Sequence, residues 1–294
     1  MGRISSLARI AFIVPILVFQ TSLSANAAQQ DCANRLSREI PNRNARALPG
    51  TTVMQQVLNL RGAERDAIVV EQMLSGNVPR FLRNLSPVEF NGTLANGQNV
   101  QVTICVTPDY MAVGDDLDFV RIPLGLPAAA HIADSFGFML PTTKMVDAIY
   151  AQALVRLPPR PMQAGNMMTS TSFLVQHNAT VAGQRAETGL TLAALTAGQK
   201  KDLVFSARLF SHPGKVAIYG WHRTNGVPIQ PLSTVHIAPY ADYSHGVRLV
   251  SDTAYVNGRA QPLADIMQDP QLAQMINNEG PIANAQGLLA SLYR

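Results

Sequence analysis

Short apolar runs alternate with dense polar turns between Lys215 and Asp252. The runs VAIYGW and GVRLV predict buried strands, so the polar residues between them are expected on turns and strand ends. The stretch holds the single tryptophan, Trp221, and three of the six histidines, which are His222, His236 and His245. Polar groups gathered between short buried strands are the usual construction of a site on a rigid scaffold. The pattern therefore predicts a reaction or binding centre in this stretch.

The rest of the chain predicts an α+β fold. Helical and strand patterns alternate irregularly, with neither evenly spaced βαβ units nor a glycine-rich nucleotide loop. Asn96-Gly97 between two apolar runs predicts a tight hairpin, and Thr142 or Thr143 is expected to cap a helix. We expect a mixed or mostly antiparallel sheet flanked by short helices in a single compact domain over residues 51–294. A lobe boundary in the proline-rich segment 156–168 is the alternative.

The N-terminus has the features of an export signal. Arg3 and Arg9 precede an apolar run, Ile10 to Phe19, that is too short to span a bilayer comfortably. Ala25-Asn26-Ala27 fits the small-x-small cleavage pattern. We therefore predict a signal peptide over residues 1–27, an extended lead-in over 28–50, and a periplasmic or extracellular mature protein. An uncleaved anchor is the alternative, although polar residues follow the apolar run at once.

Two cysteines, Cys32 and Cys105, are present in the whole chain. An oxidising compartment favours one disulfide that ties the N-terminal tail to a strand. Two free, buried thiols are the alternative. Neither cysteine lies in a recognisable motif, so a thiol nucleophile is not predicted.

The charge balance excludes some classes of partner. The formal net charge is +4, and Arg3 and Arg9 of the predicted signal peptide contribute two of these charges. No cluster of lysine and arginine is long enough to form a nucleic-acid footprint. No second apolar segment approaches transmembrane length, so the mature chain is expected to lack a membrane span.

Three side chains, His236, Asp242 and His245, follow the spacing H-x5-D-x2-H. Imidazole and carboxylate are ordinary zinc ligands, and a catalytic zinc would keep one position open for water. The same side chains can move protons without a metal, because histidine titrates near neutral pH and Asp242 can orient an imidazole. The simpler interpretation is that these histidines bond to backbone carbonyls in a turn-rich segment.

Further side chains complete the predicted site. His222 is expected beside the acid/base groups, and Arg248 is expected to hold an anion or a developing oxyanion. Tyr240 and Tyr243 are candidates for contact with a sugar ring. The remaining predicted substrate-binding residues are Ser244, Lys144 and Lys201. Lys144 and Asp147, three residues apart on a predicted helix, also fit a solvated ion pair.

The run from Tyr243 to Leu249, YSHGVRL, resembles the SHGCxRL signature of the L,D-transpeptidases, secreted enzymes that cross-link peptidoglycan through a cysteine. Val247 stands where that cysteine belongs, and the run is one residue shorter. Without the thiol the chemistry of that family cannot run here.

A broader resemblance is to exported bacterial proteins to which no activity is assigned. It covers the runs PDYMAVGDDLDFVRIPL, LPTTKMVDAIY, GQKKDL, YGWH and IQPLSTVH, as well as YADYSHGVRLV. This resemblance implies one folding unit and adds Asp118 and Arg121 to the residues of interest. The simpler interpretation of that pair is a surface ion pair.

Two functions are compatible with these patterns. The first is a secreted or periplasmic hydrolase of a cell-envelope or extracellular polymer, peptidoglycan or a polysaccharide. The second is a non-enzymatic envelope or carbohydrate binding protein whose histidines are structural. An enzyme should gather His222, His236 and His245 in one pocket, whereas a binding protein could separate them and present a shallow tyrosine-lined groove.

Overall fold

The computed structural model describes Cys32 and residues 40–294. The predicted signal peptide and most of the predicted lead-in therefore lie outside the described residues. The described end of the lead-in, residues 40–49, forms neither helix nor strand. Within residues 40–294 the first helix begins at Gly50.

Short helices surround the sheets. The α-helices in the described part of the chain are α1 (Gly50–Gln56), α2 (Gly62–Leu74), α3 (Leu126–Ser135), α4 (Thr143–Gln152), α5 (Thr171–Ala186), α6 (Arg208–Ser211), α7 (Leu263–Gln268), α8 (Ala273–Ile276) and α9 (Ala285–Ser291). A 3-10 turn follows α2 at Arg80–Arg83. Thr142 caps α4 as predicted, because its hydroxyl accepts a hydrogen bond from the Met145 amide at 3.2 Å.

The strands are short and pair mostly antiparallel, which confirms the α+β class. They are β1 (Ser86–Thr93), β2 (Asn99–Val106), β3 (Ala112–Gly114), β4 (Phe119–Arg121), β5 (Phe138–Met139), β6 (Val155–Arg156), β7 (Thr196–Ala197), β8 (Lys201–Leu203), β9 (Ile218–His222), β10 (Pro228–Ser233), β11 (His245–Gly246), β12 (Val250–Val256) and β13 (Arg259–Pro262).

The larger sheet has the order β1-β2-β12-β13, and β5 also pairs with β12. The β1–β2 hairpin turns at Asn96-Gly97 as predicted, and Gly97 has the positive φ of 83° that the turn requires. The core residues Val102 and Ile104 of β2 are fully buried. This sheet forms one wall of the main apolar core.

The second sheet, with the order β10-β9-β8-β11, carries the stretch that the sequence singled out. Its outer pair, β11 and β8, is parallel and aligns His245 with Lys201 and Gly246 with Asp202. On the other edge of β8, Lys201 aligns with Gly220 and Asp202 with Tyr219. Strand alternation therefore places Lys201 and Asp202 on opposite faces of this sheet.

Some local predictions were wrong. GVRLV is not one strand: β11 ends at Gly246, and β12 begins at Val250. The two are separate because Arg248 turns into the interior, where its guanidinium bonds to the carbonyls of Thr107 and Thr196. LVFSARLF is not a strand either, since β8 ends at Leu203 and the short helix α6 follows.

Two predicted ion pairs are also replaced by other contacts. Arg121 is buried and pairs with Asp109, with 2.6 Å between Nη2 and Oδ2. Asp118 instead accepts the Thr51 amide at the start of α1, at 2.9 Å. Lys144 donates to the backbone carbonyl of Gln274 rather than to Asp147.

The predicted disulfide joins Cys32 to Cys105 on β2, across a sequence separation of 73 residues. Both cysteines are fully buried. The bond therefore fastens the N-terminal segment to the larger sheet. No helix in the described part of the chain is both long enough and apolar enough to cross a membrane.

Reduction of this disulfide should destabilise the protein strongly. Closing a loop of this length removes chain entropy from the unfolded state that corresponds to about 4 kcal/mol. We predict that dithiothreitol lowers the free energy of unfolding of the wild type by about that amount, measured by urea denaturation. The Cys32→Ala/Cys105→Ala double variant should be insensitive to dithiothreitol. Equal stability of the oxidised and reduced wild type would contradict this prediction.

Candidate functional site

Most of the predicted site residues separate into two groups on the two faces of the second sheet. One group, the Asp242 cluster, consists of Lys201, His236, Tyr240, Asp242, Ser244 and His245. The other, the His222 cleft, is a surface cleft of about 430 Å³. Its lining residues are Asp147, Tyr150, Ala151, Arg156, Tyr219, His222, Thr224, Asn225, Gly226 and Pro228.

Asp242 is the centre of the Asp242 cluster. Its Oδ1 accepts two hydrogen bonds from Ser244, one from the amide at 2.8 Å and one from the hydroxyl at 2.6 Å. Its Oδ2 accepts the Tyr240 hydroxyl at 3.2 Å and lies 3.9 Å from Nε2 of His245. Burial raises the pKa of Asp242, but His245, the Ser244 hydrogen bonds and Lys201 outweigh it and leave the pKa below its ordinary value. Asp242 is therefore a fixed carboxylate.

His245 lies beneath this carboxylate and is wholly buried. No described residue makes a hydrogen bond to either of its ring nitrogens. Burial lowers the pKa of His245 to about 4, and Lys201, His236 and Lys200 add to this effect against the opposing charge of Asp242. The ring is thus neutral at neutral pH. A buried polar group without a partner calls for a functional or structural explanation.

His236 and Tyr240 form the outer boundary of the cluster. Their rings stack with 4.1 Å between centroids, and both side chains are half-buried. Tyr240 also meets the edge of His245, with 5.7 Å between ring centroids. The pair therefore separates the buried Asp242 and His245 from solvent.

The structure does not assemble the predicted zinc site as a three-ligand group. His236 and His245 are 6.4 Å apart between ring centroids. Within the described residues, no group of three or more histidine, cysteine, aspartate or glutamate side chains is arranged to hold a metal ion. Acid/base chemistry needs no such group.

The His222 cleft is built around a histidine–carboxylate contact that the sequence did not indicate. Nε2 of His222 lies 2.8 Å from Oδ1 of Asp147 on α4. The Tyr219 hydroxyl donates to the same carboxylate, at 3.0 Å from Oδ1 and 3.2 Å from Oδ2. The His222 ring is stacked on Tyr150 with 4.6 Å between centroids. The histidine is buried, whereas 43% of the Asp147 side chain remains exposed.

A local break in strand alternation makes this arrangement possible. In a regular strand, Tyr219 and His222 would point to opposite faces, because they are three residues apart. Gly220 and Trp221 have positive φ values of 103° and 58°. The turn they introduce directs both Tyr219 and His222 toward Asp147. Trp221 instead lies under the Lys201 ammonium, 5.3 Å from Nζ to the ring centroid.

Other predicted site residues lie elsewhere. Arg248 is buried over the Tyr110 ring and is engaged by backbone carbonyls, so an anion from solvent does not reach it. The Tyr243 hydroxyl exchanges hydrogen bonds with the backbone of Met162, so this ring packs in the core rather than against a sugar. Lys144 lines a different cavity, beside β1 and α8.

A buried lysine, Lys200, adjoins the Asp242 cluster, and the sequence did not identify it as a site residue. Lys200 donates to the Tyr243 carbonyl at 2.6 Å and lies 3.0 Å from Nδ1 of His177. Burial lowers the pKa of Lys200 to about 7, and Arg121 contributes in the same direction. Burial and the Lys200 charge lower the pKa of His177 to about 3. The run GQKKDL contains no motif that distinguishes Lys200 from Lys201.

No protein-family model, curated protein or solved structure gives a significant match to this chain. The two resemblances noted in the sequence therefore remain predictions. The arguments about function rest on the geometry of the Asp242 cluster and the His222 cleft.

The buried lysine should make stability rise with pH. The unfolded chain keeps the Lys200 proton up to a pKa of 10.5, whereas the folded protein loses it at about 7. Between these values the unfolded state binds more protons, so the free energy of unfolding increases with pH, with a slope of up to about 1.4 kcal/mol per pH unit. We predict this rise in urea denaturation of the wild type from about pH 7 to about pH 9.5.

The Lys200→Met variant supplies the control for this measurement. It removes the titrating amine but keeps an unbranched side chain in the same space. Its unfolding free energy should be nearly independent of pH over the same interval. A variant with the same slope as the wild type would mean that Lys200 is not the group responsible.

Proposed function

We propose that the protein is an exported hydrolase of a cell-envelope or extracellular polymer, peptidoglycan or a polysaccharide, and that the Asp242 cluster supplies its acid/base groups. The observation that supports this is the pairing of a buried imidazole with a fixed carboxylate. His245 faces Asp242 at 3.9 Å, and neither of its ring nitrogens has a hydrogen-bond partner among the described residues. Perturbed titratable groups of this kind concentrate at functional sites.

The chemistry follows from the protonation states. His245 is neutral at neutral pH, because burial lowers its pKa to about 4, so it can accept a proton from an attacking water. The negative charge of Asp242 stabilises the imidazolium that forms. The water oxygen bonds to the scissile carbon, and the bond to the leaving oxygen or nitrogen breaks. His236, on the solvent side, supplies the proton that the leaving group takes.

Neighbouring side chains position these groups. Ser244 and Tyr240 hold the two oxygens of Asp242 by hydrogen bonds. Lys201 is the register partner of His245 and is half-buried, so its charge can stabilise negative charge that develops on the substrate. Substrate reaches His245 when the stacked pair of His236 and Tyr240 rotates outward. The disulfide and the apolar N-terminal run support export.

The alternative is a non-enzymatic envelope or carbohydrate binding protein. The separation of His222 from His236 and His245 favours it, because an enzyme that used all three would gather them in one pocket. In that case His245 is a structural histidine. The two functions differ in whether polymer is cleaved or only retained.

Substitutions in the cluster should separate them. We predict that His245→Gln and Asp242→Asn each lower the release of soluble fragments from purified peptidoglycan or a susceptible polysaccharide by about 100-fold or more, the usual contribution of a positioned acid/base group. Tyr240→Phe, which leaves both buried groups in place, should have a smaller effect.

The exposed His212, whose ring contacts Ser211 and Arg208, supplies the matched control. His212→Gln should cleave at the wild-type rate. Urea denaturation of each variant checks that it is folded. Full cleavage by a folded His245→Gln variant would remove the cluster from the mechanism. Retention of polymer without cleavage by the wild type would select the binding protein.

A further inference from the structure

The His222 cleft has the construction of a binding site in its own right. It lies on the opposite face of the second sheet from Lys201 and His245, and it shares no lining residue with the Asp242 cluster. Its histidine is buried, yet the carboxylate it contacts remains 43% exposed. Tyr219 and His222 both bond to this carboxylate and hold it in place.

The cleft is lined by both hydrogen-bond donors and acceptors. Asp147 offers carboxylate oxygens, and Thr224 and Asn225, in the turn between β9 and β10, line the same cleft. The guanidinium of Arg156 is held at the rim by the Tyr150 carbonyl, with 3.0 Å between Nε and O. Vicinal hydroxyls, which each donate and accept, match such a mixed lining better than a group that only donates or only accepts.

The charges also restrict the ligand. Among the described residues that line the cleft, Asp147 is the one acid and Arg156 the one permanently charged base. The partly exposed Asp147 carboxylate repels phosphate or another carboxylate. The positive charge of Arg156 in the same cleft disfavours a polycation. These charges leave a neutral, hydroxyl-rich ligand as the best match.

We propose that the His222 cleft binds a neutral saccharide segment, with Asp147 accepting hydrogen bonds from ring hydroxyls and with Tyr219 and His222 fixing that carboxylate. This site is additional to the Asp242 cluster and does not depend on catalysis there. In a polymer-degrading enzyme it would anchor a distant part of the chain.

Isothermal titration calorimetry of the full oxidised protein tests this proposal with defined probes. The neutral probes are chitotetraose and cellotetraose, the anionic probe is trigalacturonate, and the cationic probe is spermine. We expect a neutral oligosaccharide to bind best. Asp147→Asn should weaken that binding about tenfold or more, as expected for loss of a charged hydrogen-bond acceptor. Tyr219→Phe, which frees the carboxylate to rotate, should weaken it about threefold to tenfold.

Two controls complete the design. Asp265→Asn removes an exposed carboxylate on α7, away from the cleft, and should bind like the wild type. His212→Gln, which changes an exposed histidine outside both sites, should also keep the wild-type affinity. As a second readout, the imidazole resonance of His222 should shift on titration with the oligosaccharide.

Three results would overturn the proposal. One is the absence of heat and of any His222 shift with both neutral oligosaccharides at millimolar concentration. Another is binding that neither Asp147→Asn nor Tyr219→Phe weakens. The third is Asp147-dependent binding of spermine in preference to the neutral probes, which would make the cleft a cation site.

Discussion

Two consecutive residues with positive φ, Gly220 and Trp221, organise both candidate sites. A bulky residue in this region of backbone space costs about 1–3 kcal/mol, so the surrounding structure must hold it there. Trp221 is buried, its ring lies under the Lys201 ammonium, and its edge meets Tyr243. These contacts offset the strain. The same turn sends His222 toward Asp147, so one local distortion places Trp221 under Lys201 on one face of the sheet and the histidine on the other.

Strand β8 connects these two environments. Lys201 and Asp202 are adjacent and point to opposite faces, and each is matched to its surroundings. Asp202 is buried, accepts the Tyr110 hydroxyl at 2.8 Å and lies 3.9 Å from Nε of Arg248. Burial raises the pKa of Asp202 to about 6, and Arg248 opposes this rise. Both faces of this sheet therefore carry buried polar side chains. Such an arrangement is unusual for a structural core and typical of a sheet that carries functional groups.

Features that depend on residues close together in the chain could be predicted from the sequence. The hairpin at Asn96-Gly97 and the cap at Thr142 were correct because turn and cap chemistry is local. The disulfide was also predictable, since the chain offers no other pairing. The contact between Asp147 and His222 joins residues 75 positions apart, and no pattern within either segment indicates it. Arg248 was misassigned for a related reason. Whether an arginine faces solvent or backbone carbonyls depends here on Thr107, just after β2, and on Thr196 of β7, which lie far away in the chain.

His222 and His245 differ in their hydrogen-bond partners, and this difference bears on how each could act. His222 has a carboxylate at hydrogen-bond distance, so its site is already assembled and needs only a ligand. His245 is buried without a hydrogen-bond partner, which costs free energy that packing around it must offset. A purely structural imidazole at that position could be replaced by an apolar side chain with a gain in stability. His245 thus combines this cost with a fixed carboxylate at 3.9 Å. Both are explained if His245 forms its hydrogen bonds with a substrate or an attacking water. Those bonds would form once His236 and Tyr240 move aside.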